Sequence, residues 1–119
     1  MKKNNILIAI ATVFVLSSAT FALLKTKLQV TVIDKTGNTV EGASVTLYPT
    51  KADYFKKTNP VQDAKQTDKK GKVKFSDLEP TTYFMYAEKG DMDNVGSGIK
   101  ADTLKAGKIN KYNTVISDL

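Results

Sequence analysis

Asp91, Asp93 and Asn94, in the stretch Lys89 to Gly98, come nearest to a chemical site in this chain of 119 residues. Oxygen ligands at alternating positions can hold calcium, and a loop of the EF type continues that alternation to a glycine. Here the next alternate position is Val95, which has no side-chain oxygen. Asp and Asn are also ordinary turn residues, because they bond their own backbone. The turn is the preferred reading, and Asp91, Asp93 and Asn94 stand as the metal candidates. A second set is aromatic. If Tyr83 and Met85 face inward, Phe84 and Tyr86 face outward, and outward rings can stack on a sugar or a partner. Tyr54 and Phe55 lie in the longest connection. The preferred expectation is that this loop folds over the outer face, so that Tyr54 or Phe55 packs on Phe84 or Tyr86; surface contact by Tyr54, Phe55, Phe84 and Tyr86 is the alternative. Glycoside hydrolysis needs two acids across a cleft. Glu41, Glu79 and Glu88 instead fall at predicted turns or strand ends. Lys69, Lys70, Lys72 and Lys74 read as the solvated face of a hairpin.

What is missing narrows the chemistry further. The chain has no His, Cys or Trp, and all 18 of its basic residues are lysine. No Ser-His or Cys-His nucleophile pair can form, and the commonest general base is absent. The usual ligand sets for zinc and haem are missing too. Without Arg there is no planar fork to read guanine or grip phosphate bidentately. No catalytic residue and no cofactor is therefore expected. The formal charge of +6 is spread along the chain and does not call for nucleic acid.

The elements that would position such residues are strands. Met1 to Ala22 has the form of a secretory signal: Lys2 and Lys3, an apolar run from Ile6 to Leu16, then small residues ending at Ala22. The rival reading is a retained membrane anchor over residues 6–24, just long enough to span a bilayer. Either way residues 23–119 form one domain outside the cytoplasm, all-β on pattern. Leu28, Val30 and Val32 alternate with polar neighbours, as do Val45 with Leu47 and Val73 with Phe75. Asp34 to Asn38 and Asp68 to Gly71 are turns. Thr50 is placed to cap a helical turn through Lys57, and Gln62 to Thr67 reads as a polar edge strand. Tyr83, Met85, Ala87, Ile99 and Tyr112 to Ile116 complete the set. About seven short strands with turns every ten residues point to a sandwich. Leu28, Val30, Val32, Val45, Leu47, Val73, Phe75, Leu78, Tyr83 and Met85 are expected to share its core.

The run from Leu28 through Asp34, Gly37, Val40, Gly42 and Ala43 to Leu47 resembles the opening of the carboxypeptidase regulatory-like domain. The run Thr67-Asp68, Gly71, Val73, Phe75, Leu78, Pro80 and Tyr83 is similar to its second signature. The family usually has Gly two residues before the tyrosine, where this chain has Thr81. The resemblance implies a seven-stranded, transthyretin-like or Ig-like β-sandwich behind an N-terminal hydrophobic signal helix. It also implies an exported, periplasmic, surface or secreted location and a non-catalytic role. The expected function is structural or protein-interacting in the cell envelope. The partner would be an envelope protein or a glycan, with membrane contact only if the N-terminal segment is retained. The alternative is a carbohydrate-binding module using Tyr54, Phe55, Phe84 and Tyr86.

Overall fold

A computed structural model describes residues 25–118. The segment read as signal or anchor lies outside the described residues.

Two turns of the same construction set the strand pairing. In Asp34 to Asn38, the carboxylate Oδ1 of Asp34 accepts the backbone N–H of Thr36 and of Asn38, both at 3.0 Å. In Asp68 to Lys72, Asp68 Oδ1 accepts from the N–H of Lys70 at 2.8 Å and of Lys72 at 3.0 Å. Gly37 and Gly71 each donate their N–H to the aspartate carbonyl, at 3.0 and 2.9 Å. The bond from the Thr36 hydroxyl holds Asp34 below the usual carboxylate range, with the Asn38 N–H next. For Asp68 the N–H of Lys72 does most of the same work. Gly71 has φ +74°, and a Cβ there would sit 2.9 Å from both Val32 O and the Cβ of Thr39. Only glycine allows this turn to lie against the neighbouring strand.

Among the described residues there are eight strands, not seven, and one helix. They are β1 (Thr26–Asp34), β2 (Ser44–Tyr48), α1 (Lys51–Lys56), β3 (Lys65–Gln66), β4 (Lys72–Leu78), β5 (Tyr83–Lys89), β6 (Met92–Asp93), β7 (Lys100–Ala101) and β8 (Ile109–Ile116). The extra count comes from splitting the region after β5 into two-residue pieces. One sheet has the order β4-β1-β8, and the other runs β3-β2-β5-β6 with β7 also on β5. β1 pairs antiparallel with β4 and parallel with β8. The first and last strands thus lie side by side, which no local pattern announces. The predicted polar strand from Gln62 to Thr67 shrinks to β3 on the sheet edge.

The inward residues of both sheets form one cluster that contains all ten expected core residues, joined by Val40, Ala43, Ala87, Ala101, Leu104 and Ile116. Leu78 reaches it by a bulge. Thr26 pairs with Leu78 but Leu28 with Phe75, so Ser76 and Asp77 together oppose Lys27. Asp77 takes φ 56° to make that bend, and Asp tolerates the left-handed region better than most residues. Without the extra residue, Leu78 would face solvent. Thr81 keeps an ordinary φ, so the positive φ of this corner falls on Asp77. The corner is then closed by Tyr83, whose phenolic oxygen accepts the Glu79 N–H at 3.0 Å.

Candidate functional site

The outer edge of β5 is incompletely paired, and that gap organises the molecule's main polar cluster. β7 covers Tyr83 and Phe84, and β6 covers Glu88 and Lys89. Between them the chain leaves the ladder. Met85 N–H is met by Ile99 O at 2.6 Å. The remaining groups are met by the side chain of Asn94. Its Nδ2 donates to Met85 O at 2.7 Å, and its Oδ1 accepts from Ala87 N–H at 3.1 Å. The amide side chain thus takes the place of a peptide unit in a missing strand. Asn94 N–H donates in turn to Ala87 O at 3.1 Å.

Asn94 has two further bonds. Nδ2 donates to the Thr114 hydroxyl on β8 at 2.9 Å, and Oδ1 accepts from the Tyr54 hydroxyl at 2.9 Å. Both donors and both lone pairs of the amide are therefore engaged. Asn94 and Tyr54 are 0 % exposed and Thr114 is 1 % exposed. One side chain joins the edge of one sheet, the last strand of the other, and the helix. Among the described residues, no buried side-chain nitrogen or oxygen lacks a hydrogen-bond partner.

The helix that delivers Tyr54 is short and capped at both ends. Thr50 Oγ1 accepts from Asp53 N–H at 3.0 Å, as expected for its cap position. Lys57 ends the helix in the left-handed conformation, its N–H bonded to Asp53 O. Tyr54 stands edge-on to Tyr48, 6.3 Å between centroids, and to Tyr86, 5.6 Å. Lys57 Nζ lies 3.8 Å from the Tyr86 ring centroid and 4.6 Å from that of Tyr54. It also donates to Tyr54 O at 2.7 Å. The ammonium covers Tyr86 while bonding the helix carbonyl, so α1 is held to the outer face by a cation on aromatic rings.

Burial, reinforced by Asp93, pushes the Tyr54 hydroxyl up to about 12. Burial also raises Tyr86, with Glu88 adding to it. A tyrosine whose folded pKa is raised favours the folded state fully below its unfolded value near 10. That contribution fades as the pH rises toward the folded value. Wild type is therefore expected to lose its stability advantage over Tyr54→Phe between about pH 10 and 12. Thermal melts of both proteins across that window check this; parallel curves would contradict it.

The candidates from sequence do not come together. Asp91 lines an open surface cleft of about 700 Å³ with Asp34, Glu41, Lys89 and Asp118. Asp93 turns its Oδ1 onto Val95 N–H at 3.0 Å, a turn contact. Asn94 is internal, so its place among calcium ligands is corrected: both oxygen lone pairs already hold protein donors. Among the described residues, no three acidic side chains converge to hold a metal ion. Of the aromatic set, Tyr54 is corrected from a candidate surface contact to a buried plug, packed on Tyr86 as the preferred expectation held. Phe84 and Tyr86 are half-buried, and Phe55 is 53 % exposed. Asn94 as a structural hub went unread. In sequence, a buried asparagine after Met92-Asp93 is indistinguishable from a turn asparagine.

Among the described residues no helix is long and apolar enough to cross a membrane. No curated protein sequence matches the chain. Solved structures do match. A Bacillus anthracis TIE protein is 21% identical with a TM-score of 0.53, over 77% of this chain and 17% of that one. A streptococcal ancillary pilin is 16% identical with a TM-score of 0.55, over 82% and 33%. The pilus 2b backbone protein of group B streptococcus is 13% identical with a TM-score of 0.50, over 76% and 40%. This chain spans less than half the length of each, and at these identities the likeness is one of fold. The likeness read from sequence thus holds at the level of an Ig-like all-β sandwich. The model of the family described as DR_A0283-like, Ig-like domain matches residues 24–115, and the chain belongs to that family.

Proposed function

We propose that this chain is an exported, non-catalytic module with a structural or protein-interaction role in the cell envelope. The observation that carries the reading is the commitment of the polar cluster. Asn94, Tyr54 and Thr114 hold sheets and helix together and present no free group to a substrate. Two of the fold neighbours, an ancillary pilin and a pilus backbone protein, support it. The apolar run before Leu24 supports export. The reading includes a sandwich of the carboxypeptidase regulatory-like, transthyretin-like kind, supported by the paired Asp-x-x-Gly turns. The carbohydrate-binding alternative needs adjoining free rings, but Tyr54 is buried and Lys57 covers Tyr86.

Partner contact is assigned to the α1 side, where Phe55 is exposed 5.0 Å from the Tyr54 ring. Exposed aromatics beside a rigid scaffold are the usual anchors of an interface. Phe55→Ala is expected to leave the melting temperature within about 2 °C. It should reduce recovery of envelope partners in pull-downs by tenfold or more. Unchanged recovery from a folded variant would refute the α1 surface. Turnover of a peptide or glycan by purified protein, abolished by a single Asp or Glu substitution, would refute the non-catalytic reading.

A further inference from the structure

We infer that the outer face of the β4-β1-β8 sheet binds an acidic polysaccharide. The face is assembled by register. Lys74 on β4 lies opposite Gln29 on β1, which lies opposite Lys111 on β8. The next row is Lys72, Thr31 and Asn113. Lys27, two residues before Gln29, extends the lysines toward the other end of the sheet. Lys72, Lys74 and Lys111 are exposed and Lys27 is half-exposed.

No salt bridge among the described residues holds these lysines, although Asp68 lies on the same face beside Lys72. Among the described residues the ion pairs use Lys25, Lys35 and Lys100, and none of these four. The nearby carboxylates are engaged: Asp68 with the N–H groups of Lys70 and Lys72, and Asp77 with Lys25. Gln29 lies between Lys74 and Lys111, Thr31 lies beside Lys72, and Asn113 flanks Lys111 on the edge strand, so two amides and a hydroxyl adjoin the ammoniums.

That composition selects the partner. Residues two apart on a strand are about 6.8 Å apart, and lysines two strands apart about 9.6 Å. The sheet twist turns β8 relative to β4 by roughly 45° over the two intervals. A flexible linear polyanion can follow a twisted array of lysines, whereas a planar bilayer meets only part of it. Nucleic acid would want aromatic platforms or Arg forks. The outward positions of these strands carry no aromatic residue, and the chain has no Arg. Amides and hydroxyls interleaved with ammoniums instead suit sugar hydroxyls interleaved with carboxylates. The face is opposite α1, so this binding is separate from the partner contact proposed above.

The test is a titration of the full chain with polygalacturonate, with dextran and an oligodeoxynucleotide of matched charge as comparisons. Saturable binding of polygalacturonate that weakens with salt is expected, with none to dextran. Lys74→Gln with Lys111→Gln should weaken it about tenfold. Lys51→Gln with Lys56→Gln removes the same charge on the α1 side and should change it less than twofold. Gln29→Ala with Asn113→Ala should weaken polygalacturonate by about three- to fivefold without changing the salt dependence. Circular dichroism confirms that each variant is folded. Equal losses from the two lysine pairs would mean net charge alone, and would overturn the proposal. So would oligonucleotide binding as tight as polygalacturonate, or indifference to Gln29 and Asn113. Phe55→Ala should leave this binding unchanged, which separates its failure from that of the α1 contact.

Discussion

Replacing Asn94 with alanine is expected to cost on the order of 3–5 kcal/mol, a large share of the 5–15 kcal/mol typical of a domain. The substitution removes no large apolar surface. Its cost comes from what it leaves behind: Met85 O, Ala87 N–H and the Tyr54 hydroxyl all lose their partner in a site with no exposure. An unsatisfied buried group costs about 1–3 kcal/mol, and a water admitted to the cavity would recover only part of three. Urea melts give the number. A loss below about 1 kcal/mol would mean that the edge of β5 repairs itself.

Asn94→Asp sharpens the test because it keeps the shape. It replaces two donors with an acceptor facing Met85 O and places a carboxylate where no cation waits. Burial would raise the folded-state pKa of that carboxyl above its unfolded value. The sign follows: the variant is least penalised below the unfolded pKa near 4 and is progressively penalised above it. The gap between wild type and Asn94→Asp should therefore be wider at pH 7 than at pH 4. A turn asparagine at the surface would show no such widening. If the gap is flat with pH and small, Asn94 is not the hub described here.

The parts of this fold visible in sequence are those governed by near neighbours. Alternation puts Val30, Val45 and Phe75 on one face each, because successive strand side chains point oppositely. The Asp-x-x-Gly turns are legible because the bonds of Asp34 and Asp68 span four residues. The Thr50 cap is legible for the same reason. What sequence hides is set by distant pairing. β8 lies parallel to β1 although most of the chain separates them, as the pairing of Lys27 with Ile109 shows, and no periodicity carries that. The bulge at Asp77 shows in the odd spacing of Phe75 and Leu78, but only once both are known to be inward. Asn94 and Tyr54 are 40 residues apart. Either alone is an ordinary polar or amphipathic surface residue. Sequence alone therefore offers a turn whose oxygens are candidate ligands and, separately, a set of rings. In the fold, only Asn94 from the first set and Tyr54 from the second meet, in one buried cluster.

Phe75→Ala should be about as damaging as any change in the apolar core. Phe75 is 0 % exposed on β4 and faces the cluster that joins both sheets. Truncating a buried Phe loses its transfer free energy and leaves a cavity, together about 3–5 kcal/mol. The site cannot readily collapse. Leu28 lies opposite it in the ladder, and the turn at Gly71 and the bulge at Asp77 fix β4 on either side. Lys65 Nζ lies 5.3 Å from the ring centroid and donates to Lys74 O at 3.1 Å. Lys74→Ala, one residue away and outward, should cost under about 0.5 kcal/mol. The contrast is the test, since a one-residue slip exchanges the faces of a strand. Urea melts showing equal losses at Phe75 and Lys74 would mean that β4 is out of register. The lysine face proposed for polysaccharide binding would fall with it, because Lys72 and Lys74 would then point into the core.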